Sequence, residues 1–284
     1  MQIKDIDLEP ALYLVATPIG NISDITIRAL QTLKAADYIA CEDSRINNKL
    51  LSHYDIKTSM LIYNDHSKEY ERNKIIDKII IQGKSIVLVS DAGTPLISDP
   101  GYKLVKLAMQ NDVKVTICPG PNSAVSALAV SGLPTNNFVF EGFLSHKQNS
   151  RIKQLQELKL INKTTILFES ASRLVDTLHD INTVMGKRHI SVIRELTKIY
   201  EEIKTDQINA VIEYYNAHTP RGEVVIVIAA DDNANLITEL SDLDKQLKIL
   251  LKENSLKDAV EIISHNASFI KKDIYKRAIS LIKK

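Results

Sequence analysis

The residues best placed for chemistry follow short apolar runs that read as β-strands. After Ile86–Ser90 comes Asp91-Ala92-Gly93-Thr94-Pro95. Ala92 and Gly93 carry almost no side chain, so a ligand can approach the backbone closely there. Asp91 and Thr94 add hydrogen-bonding groups. Asp99-Pro100-Gly101 reads as a helix N-cap with proline at the first helical position. The crowding of small and polar residues from Asp91 to Ser98 points to a ligand loop, with a plain strand–turn–helix connection as the alternative. Another run leads into Cys118-Pro119-Gly120-Pro121-Asn122-Ser123-Ala124. Its prolines fix the backbone, and Ser123 opens a helix whose first N–H groups suit a polar ligand group. The alternative is a rigid turn with a serine cap.

Three further segments carry weaker signals. Ala16–Asp24, with Pro18 and Gly20, follows the first run and ends on Ser23 or Asp24 as a helix cap; alone it is balanced between structure and site. Cys41-Glu42-Asp43-Ser44-Arg45 sets two carboxylates and an arginine after a strand. Such acids suit a base, an orienting group or a helix cap, and Arg45 suits a phosphate. Glu169-Ser170-Ala171-Ser172-Arg173 occupies the matching place in the second half, with the same alternatives.

Several chemistries lack their signatures. No G-x-G-x-x-G or G-x-x-x-x-G-K-[ST] occurs, so dinucleotide and nucleoside triphosphate cradles are missing. The histidines (His53, His66, His146, His179, His189, His218, His265) show no metal-ligand spacing, and no metal is expected. Neither H-E-x-x-H nor G-x-S-x-G is present, which weakens hydrolase readings.

The elements that must position these loops alternate. Strands are expected at Leu12–Thr17, Tyr38–Cys41, Met60–Tyr63, Ile86–Ser90 and Val113–Cys118, with helices at Thr26–Ala35, Ile46–His53, Lys68–Gln82 and Tyr102–Gln110. That rhythm implies a largely parallel sheet with helices on its faces, which binds ligands beyond the carboxyl ends of its strands. Gly132-Leu133-Pro134-Thr135 is a breaker cluster and the expected domain boundary. A second α/β unit follows, with strands at Phe138–Phe143, Thr164–Glu169, Ile190–Glu195 and Glu223–Ala230. Its helices are expected at Asn149–Lys159, Ser172–Met185 and Gln207–Tyr215. From Leu236 the pattern is helical throughout. The expected organisation is an α/β domain over 1–135, a second over 136–235, and a basic helical extension over 236–284.

Bulk properties set limits on location and partners. The 284 residues are 44% hydrophobic and 25% charged, ordinary for a soluble globular chain. A net charge of +1 neither suggests nor excludes nucleic acid. Lys245–Lys284, however, holds ten Lys/Arg against four acids, which fits a solvated helix face or a phosphate contact. Two cysteines make no disulfide framework, and a reducing cytoplasm is expected. The N-terminus lacks the apolar core of a signal peptide, and no run is long enough for a membrane span.

Taken in order, the motifs form one pattern. Leu12–Thr26, Val89–Gly101, Pro119–Ala124, Ser131–Thr135, Phe140–Leu144, Phe168–Leu174, Arg194–Glu202 and Arg221–Val227 together resemble the tetrapyrrole methylase superfamily. Within it, the chain is most similar to the cytidine 2′-O-methyltransferases of small-subunit ribosomal RNA. The resemblance implies S-adenosyl-L-methionine in a cleft between two α/β domains and a homodimer. It also implies methyl transfer to a cytidine ribose in the decoding region, on RNA or on a 30S-type particle. For the cofactor it implies Gly93, Thr94, Ile97 and Ser98, with Asp91 and Ala92 of the same loop, then Ser123 and Ala124, then Pro18 and Gly20. The chain departs from the pattern at Asn122, where relatives often have Ser or Cys. If a general base takes part, Glu42, Asp43 and Glu169 are the candidates, each following a strand expected to end at the cleft. Arg45 and Arg173 would hold RNA phosphates. Two competing readings are a small-molecule or protein-side-chain methyltransferase of the same superfamily, and a non-catalytic RNA-binding assembly factor.

Overall fold

A computed structural model describes residues 5–231, 240–251, 254–264, 267 and 269–282. Contacts between backbones divide the chain into two compact units, Met1–Lys159 with Thr164–Ala229, and Leu160–Lys163 with Ala230–Lys284. The domain boundary expected at 235/236 lies outside the described residues.

The first half of the larger unit is the expected parallel sheet. Its strands are β1 (Leu12–Val15), β2 (Tyr38–Cys41), β3 (Ser59–Ile62), β4 (Ile86–Leu88) and β5 (Val115–Cys118), in the order β3-β2-β4-β1-β5. Every pairing is parallel. Connecting helices are α1 (Ile27–Ala35), α2 (Ser44–His53), α3 (Glu69–Ile80), α4 (Tyr102–Gln110) and α5 (Ser123–Val130). Side-chain alternation along each strand builds two cores. Ile86 and Leu88 turn to Ile76 and Leu104 on one face, while Val87 and Val89 turn to Leu33 and Ile39 on the other. The sheet order sets β4, β1 and β5 side by side, so the loops leaving their carboxyl ends are neighbours.

The second half is a mixed sheet. β6 (Phe138–Phe143) runs parallel to β7 (Thr164–Ser170), with a register shift between Phe140 and Gly142. β10 (Glu223–Ile228) is antiparallel to both β7 and β8 (His189–Arg194). β9 (Glu202–Gln207) closes the edge, also antiparallel. The sequence gives β9 only one apolar residue, Ile203, in E-I-K-T-D-Q, which hides an edge strand with solvent on one face. Helices α6 (Gln148–Ile161), α7 (Leu174–Met185) and α8 (Ile208–Ala217) bury one face of this sheet through Leu155, Leu178 and Val211. The other face receives α5: Ala127 and Leu128 pack on Ile166, Ile193 and Val225. The helix that begins beside the fifth-strand loop therefore also ties the two sheets together.

The smaller unit carries α9 (Leu240–Leu250), α10 (Leu256–Ser264) and α11 (Lys271–Ile282) around Leu243, Leu247, Val260, Ile263, Ile274 and Ala278. Arg277 Nε and Nη2 each donate to the Asp244 carboxylate at 2.6 Å, tying α11 to α9. No described helix is long and apolar enough to cross a membrane. Cys41 and Cys118 are both free and buried.

Candidate active site

Hydrogen bonds pin the three neighbouring loops to one another. Thr17 and Gly93 exchange backbone bonds, N to O at 2.9 Å and 3.0 Å, joining the loop after β1 to the loop after β4. The Thr94 hydroxyl donates to the Pro121 carbonyl at 3.0 Å, and Asn122 Nδ2 donates to Thr94 Oγ1 at 3.3 Å, joining the loops after β4 and β5. The middle loop is bent sharply, with φ of 79° at Gly93, 73° at Leu96 and 62° at Ser98. Leu96 and Ser98 are not glycine, so this backbone is strained, a condition that persists only where the surroundings hold it. Gly93 has the further constraint that a Cβ there would lie 3.3 Å from Ile19 Cγ2.

The bend faces a cleft of about 360 Å³ between the two sheets, within the size range of small-molecule sites. One wall is loop: Ala92, Gly93, Thr94, Ile97, Ser98 and Asp99, with Ser123 at the start of α5. The other is sheet: Phe168 and Glu169 of β7, Ile193 of β8 and Val225 of β10. Of the positions expected for the cofactor, Ala92, Gly93, Thr94, Ile97, Ser98 and Ser123 line this cleft. Pro18, Gly20 and Asp91 line an adjoining recess that shares Ile19, Ala92 and Glu223 with it. Ala124 is buried beneath, in the α5 packing.

The acidic residues near the cleft differ in what already occupies them. Asp43 is the N-cap of α2; its Oδ1 accepts from the Arg45 N–H at 2.8 Å, and its Oδ2 from the guanidinium at 2.7 Å. That guanidinium holds the carboxyl down at about 2. Glu169, on a buried strand end, accepts from Ser170 N–H (2.8 Å), the Thr177 hydroxyl (2.6 Å) and Arg173 (3.1 Å). Arg173 is in turn spent on the Leu144 carbonyl at 3.0 Å and on His146 Nδ1 at 2.7 Å. Asp91 accepts from Asp43 N–H and Asn47 Nδ2, both at 3.3 Å. Glu42 is exposed and lines neither the cleft nor the recess. Arg45, with its side chain 88% exposed, is paired only with its neighbour Asp43 among the described contacts.

Asp99 stands apart, and sequence reasoning passed over it. The expected cap Asp99-Pro100-Gly101 is not there: α4 starts at Tyr102, its N-cap is Gly101 at φ 142°, and Asp65 accepts the Gly101 N–H. Asp99 is left to line the cleft instead. Burial first, then the charges of Glu42 and Asp91, push its carboxyl up to about 6 against the pull of the Ser90 hydroxyl. The signal that could have found it is the sheet order, which brings acids following β2 and β4 together. One other cap also differs from expectation: Thr26, rather than Ser23 or Asp24, caps α1, its Oγ1 accepting from Ala29 N–H at 3.1 Å. Ser123 opens α5 as expected, and Asn122 caps it, its Oδ1 accepting from Val125 N–H at 3.1 Å. The residue at which the chain departs from the family pattern thus caps the helix with Oδ1 and reaches Thr94 with Nδ2.

The cleft thus lies between a parallel and a mixed sheet and is walled by the loops that leave β1, β4 and β5. Residues 11–212 match the family model of the Tetrapyrrole (Corrin/Porphyrin) Methylases. The chain is 43% identical over 271 residues to the ribosomal RNA small subunit methyltransferase I of Rickettsia prowazekii, covering 94% of this chain and 96% of that one. Among solved structures, diphthine synthase superposes with a TM-score of 0.61 at 17% identity, covering 77% of this chain and 89% of that one. The uroporphyrin-III C-methyl transferase of Thermus thermophilus, complexed with S-adenyl homocysteine, superposes with a TM-score of 0.55 at 16% identity, covering 77% and 97%. The chain belongs to the tetrapyrrole methylase family, and it is a methyltransferase.

Proposed function

We infer that this chain uses S-adenosyl-L-methionine to methylate the ribose 2′-oxygen of a cytidine in the decoding region of small-subunit ribosomal RNA. The carrying observation is the loop wall: strand-end loops tied by the Thr17–Gly93 bridge and the Thr94–Pro121 bond, with Gly93 held at a left-handed φ where a Cβ would crowd Ile19. The residues fit such a cofactor. Ile97, Ile193 and Val225 offer apolar surface to a flat ring, and the small residues Ala92, Gly93 and Ser98 offer room against the backbone. When bound, the cofactor supplies a methyl activated on a sulfonium. The chain's part is to hold the acceptor oxygen in line and close, which can account for about 7–11 kcal/mol of barrier. A general base adds a further ~10²–10⁴-fold. The choice of RNA rests on the name carried by the relative 43% identical over nearly the full chain; the neighbours at 16–17% identity speak for the fold only.

The remaining assignments belong to the same reading. The basic segment 236–284 contacts RNA phosphates, a homodimer presents two such segments, and the enzyme works in the cytoplasm. Arg45 is exposed enough to meet a phosphate; the internal bonds of Arg173 speak for a structural role instead. The test is to incubate the protein with labelled S-adenosyl-L-methionine and small subunits from a strain lacking the activity, then map the label. Label on one cytidine ribose is expected; no label in RNA, or label on a base, overturns the reading. Removing 236–284 is expected to weaken RNA binding more than cofactor binding, and equal loss of both would contradict that assignment.

A further inference from the structure

The recess beside the cleft has a chemistry of its own. It holds about 340 Å³ and shares Ile19, Ala92 and Glu223 with the cleft. In-line transfer needs the donor and the acceptor close together, on opposite sides of the moving methyl. With the donor in the cleft, the shared border is where an acceptor oxygen can meet it, and the recess lies beyond. Ile19, Ile22, Ile46 and Leu50 give the recess apolar sides. Such sides suit the faces of a flat base.

The polar lining of the recess includes two side chains left with acceptors only. Asp91 and Asn47 both line it. Asp91 Oδ1 is occupied, taking the Asp43 N–H and Asn47 Nδ2, each at 3.3 Å. Among the described residues nothing donates to Asp91 Oδ2, and no cation pairs with the carboxylate. Asn47, 3% exposed, directs its amide nitrogen to two protein oxygens, the Asp43 carbonyl at 3.1 Å and Asp91 Oδ1. Both amide hydrogens are thereby used, the amide's orientation is fixed, and its Oδ1 is left as an acceptor. Two cations also line the recess. Lys198 is held by Glu195 and Glu223. Lys49 is exposed and stands one turn after Arg45 on α2, so these two share a helix face.

Resting on the RNA methyl-transfer reading above, we propose that the recess holds the base of the acceptor cytidine and that Asp91 selects it. The 4-amino group of cytosine donates one hydrogen to Asp91 Oδ2 and the other to Asn47 Oδ1. A carboxylate is a fitting partner for that amino group, because it only accepts. Uracil has a carbonyl oxygen at the same place. It sets a lone pair against both acceptors with no hydrogen between them, and the buried polar groups stay unpaired. By holding Asp91 Oδ1, Asn47 also fixes which carboxylate oxygen remains for the base. Arg45 and Lys49 take phosphates flanking the acceptor, which adds affinity without choosing the base.

The experiment uses small subunits from a strain lacking the activity, carrying either cytidine or uridine at the acceptor position. Single-turnover transfer is read for wild type, D91N and K49A, and S-adenosylhomocysteine affinity by calorimetry. Wild type prefers cytidine by roughly 5- to 150-fold, the discrimination that one good base contact supplies. In D91N the side-chain oxygen stays with Asp43 N–H and Asn47 Nδ2, so the new amide nitrogen faces the recess. The preference for cytidine then falls by about tenfold or more and turns toward uridine, whose O4 accepts from that amide. S-adenosylhomocysteine affinity stays within about threefold of wild type. K49A weakens transfer to both substrates alike and flattens its salt dependence, with the base ratio unchanged. A wild type that methylates cytidine and uridine subunits equally overturns the proposal, whether or not any variant folds. A folded D91N that keeps the wild-type ratio also overturns it. Loss of S-adenosylhomocysteine binding by folded D91N would assign Asp91 to the cofactor instead, and a shifted ratio in K49A would move the choice of base to Lys49. A wild type that labels no RNA in either subunit overturns the RNA methyl-transfer reading and the recess assignment with it.

Discussion

The two walls of the cleft are built on opposite plans. The loop wall, from Asp91 to Asp99 with Ser123, is bent through left-handed angles at Gly93, Leu96 and Ser98 and sets the half-buried Asp99 in the cleft with no cation paired to it among the described residues. The sheet wall, from Phe168 to Arg173, sits on regular strands and closes its polar groups on one another through Glu169, Thr177 and Arg173. The difference teaches how the setting of an acid decides its state. Glu169 has its oxygens occupied by donors, whereas burial, then the charges of Glu42 and Asp91, hold the Asp99 carboxyl up to about 6. Strain and an uncompensated acid are costly, and they persist here because neighbouring loops hold them in place.

That contrast can be broken at several points. The largest effect is expected on the sheet wall: E169Q leaves the buried Arg173 guanidinium without its carboxylate, at a cost of about 3 kcal/mol in urea unfolding, while the folded fraction keeps its pH profile. A profile that changes with stability intact would move Glu169 into the chemistry. Next, G93V forces a branched side chain into a φ of 79° and against Ile19. S-adenosylhomocysteine affinity should then fall about 10- to 100-fold, from strain of roughly 1–3 kcal/mol; unchanged calorimetry would remove the loop wall from the site. D43A removes the α2 cap and should cost ~1 kcal/mol of stability with no change in the pH dependence of transfer. The smallest effect concerns Asp99 itself. Its folded-state carboxyl is raised from 3.8 to about 6, so its favourable contribution is complete below 3.8 and is lost as pH climbs through 6. D99N should therefore be more stable than wild type at pH 8, by on the order of 1 kcal/mol or less after solvent screening. The two should unfold alike near pH 4. Greater stability of wild type at pH 8 would mean that the charge on Asp99 is compensated.

Much of this arrangement was legible in the sequence. The β-branched runs and their spacing gave the parallel sheet, and Ala92-Gly93-Thr94 stood out because small residues beside polar ones have no packing reason to cluster after a buried strand. The ranking of the acids was not legible. Cys41–Arg45 and Glu169–Arg173 look equivalent as strings, yet Asp43 is consumed by a neighbour two residues on, and Glu169 by Thr177 a turn into α7. Asp99-Pro100-Gly101 has the composition of a cap, but the N-cap of α4 is Gly101, two residues too late for Asp99 to serve as one. Its perturbation comes first from burial, then from Glu42 and Asp91, and Glu42 is near only because β2 and β4 are neighbours in the sheet. β9 escaped notice because an edge strand with one apolar residue carries little periodic signal.

The most direct test of this account is a crystal structure of the protein with S-adenosylhomocysteine. The account predicts that the ligand lies in the cleft against Gly93–Ser98 and Ser123. A ligand bound away from the loop wall would contradict it.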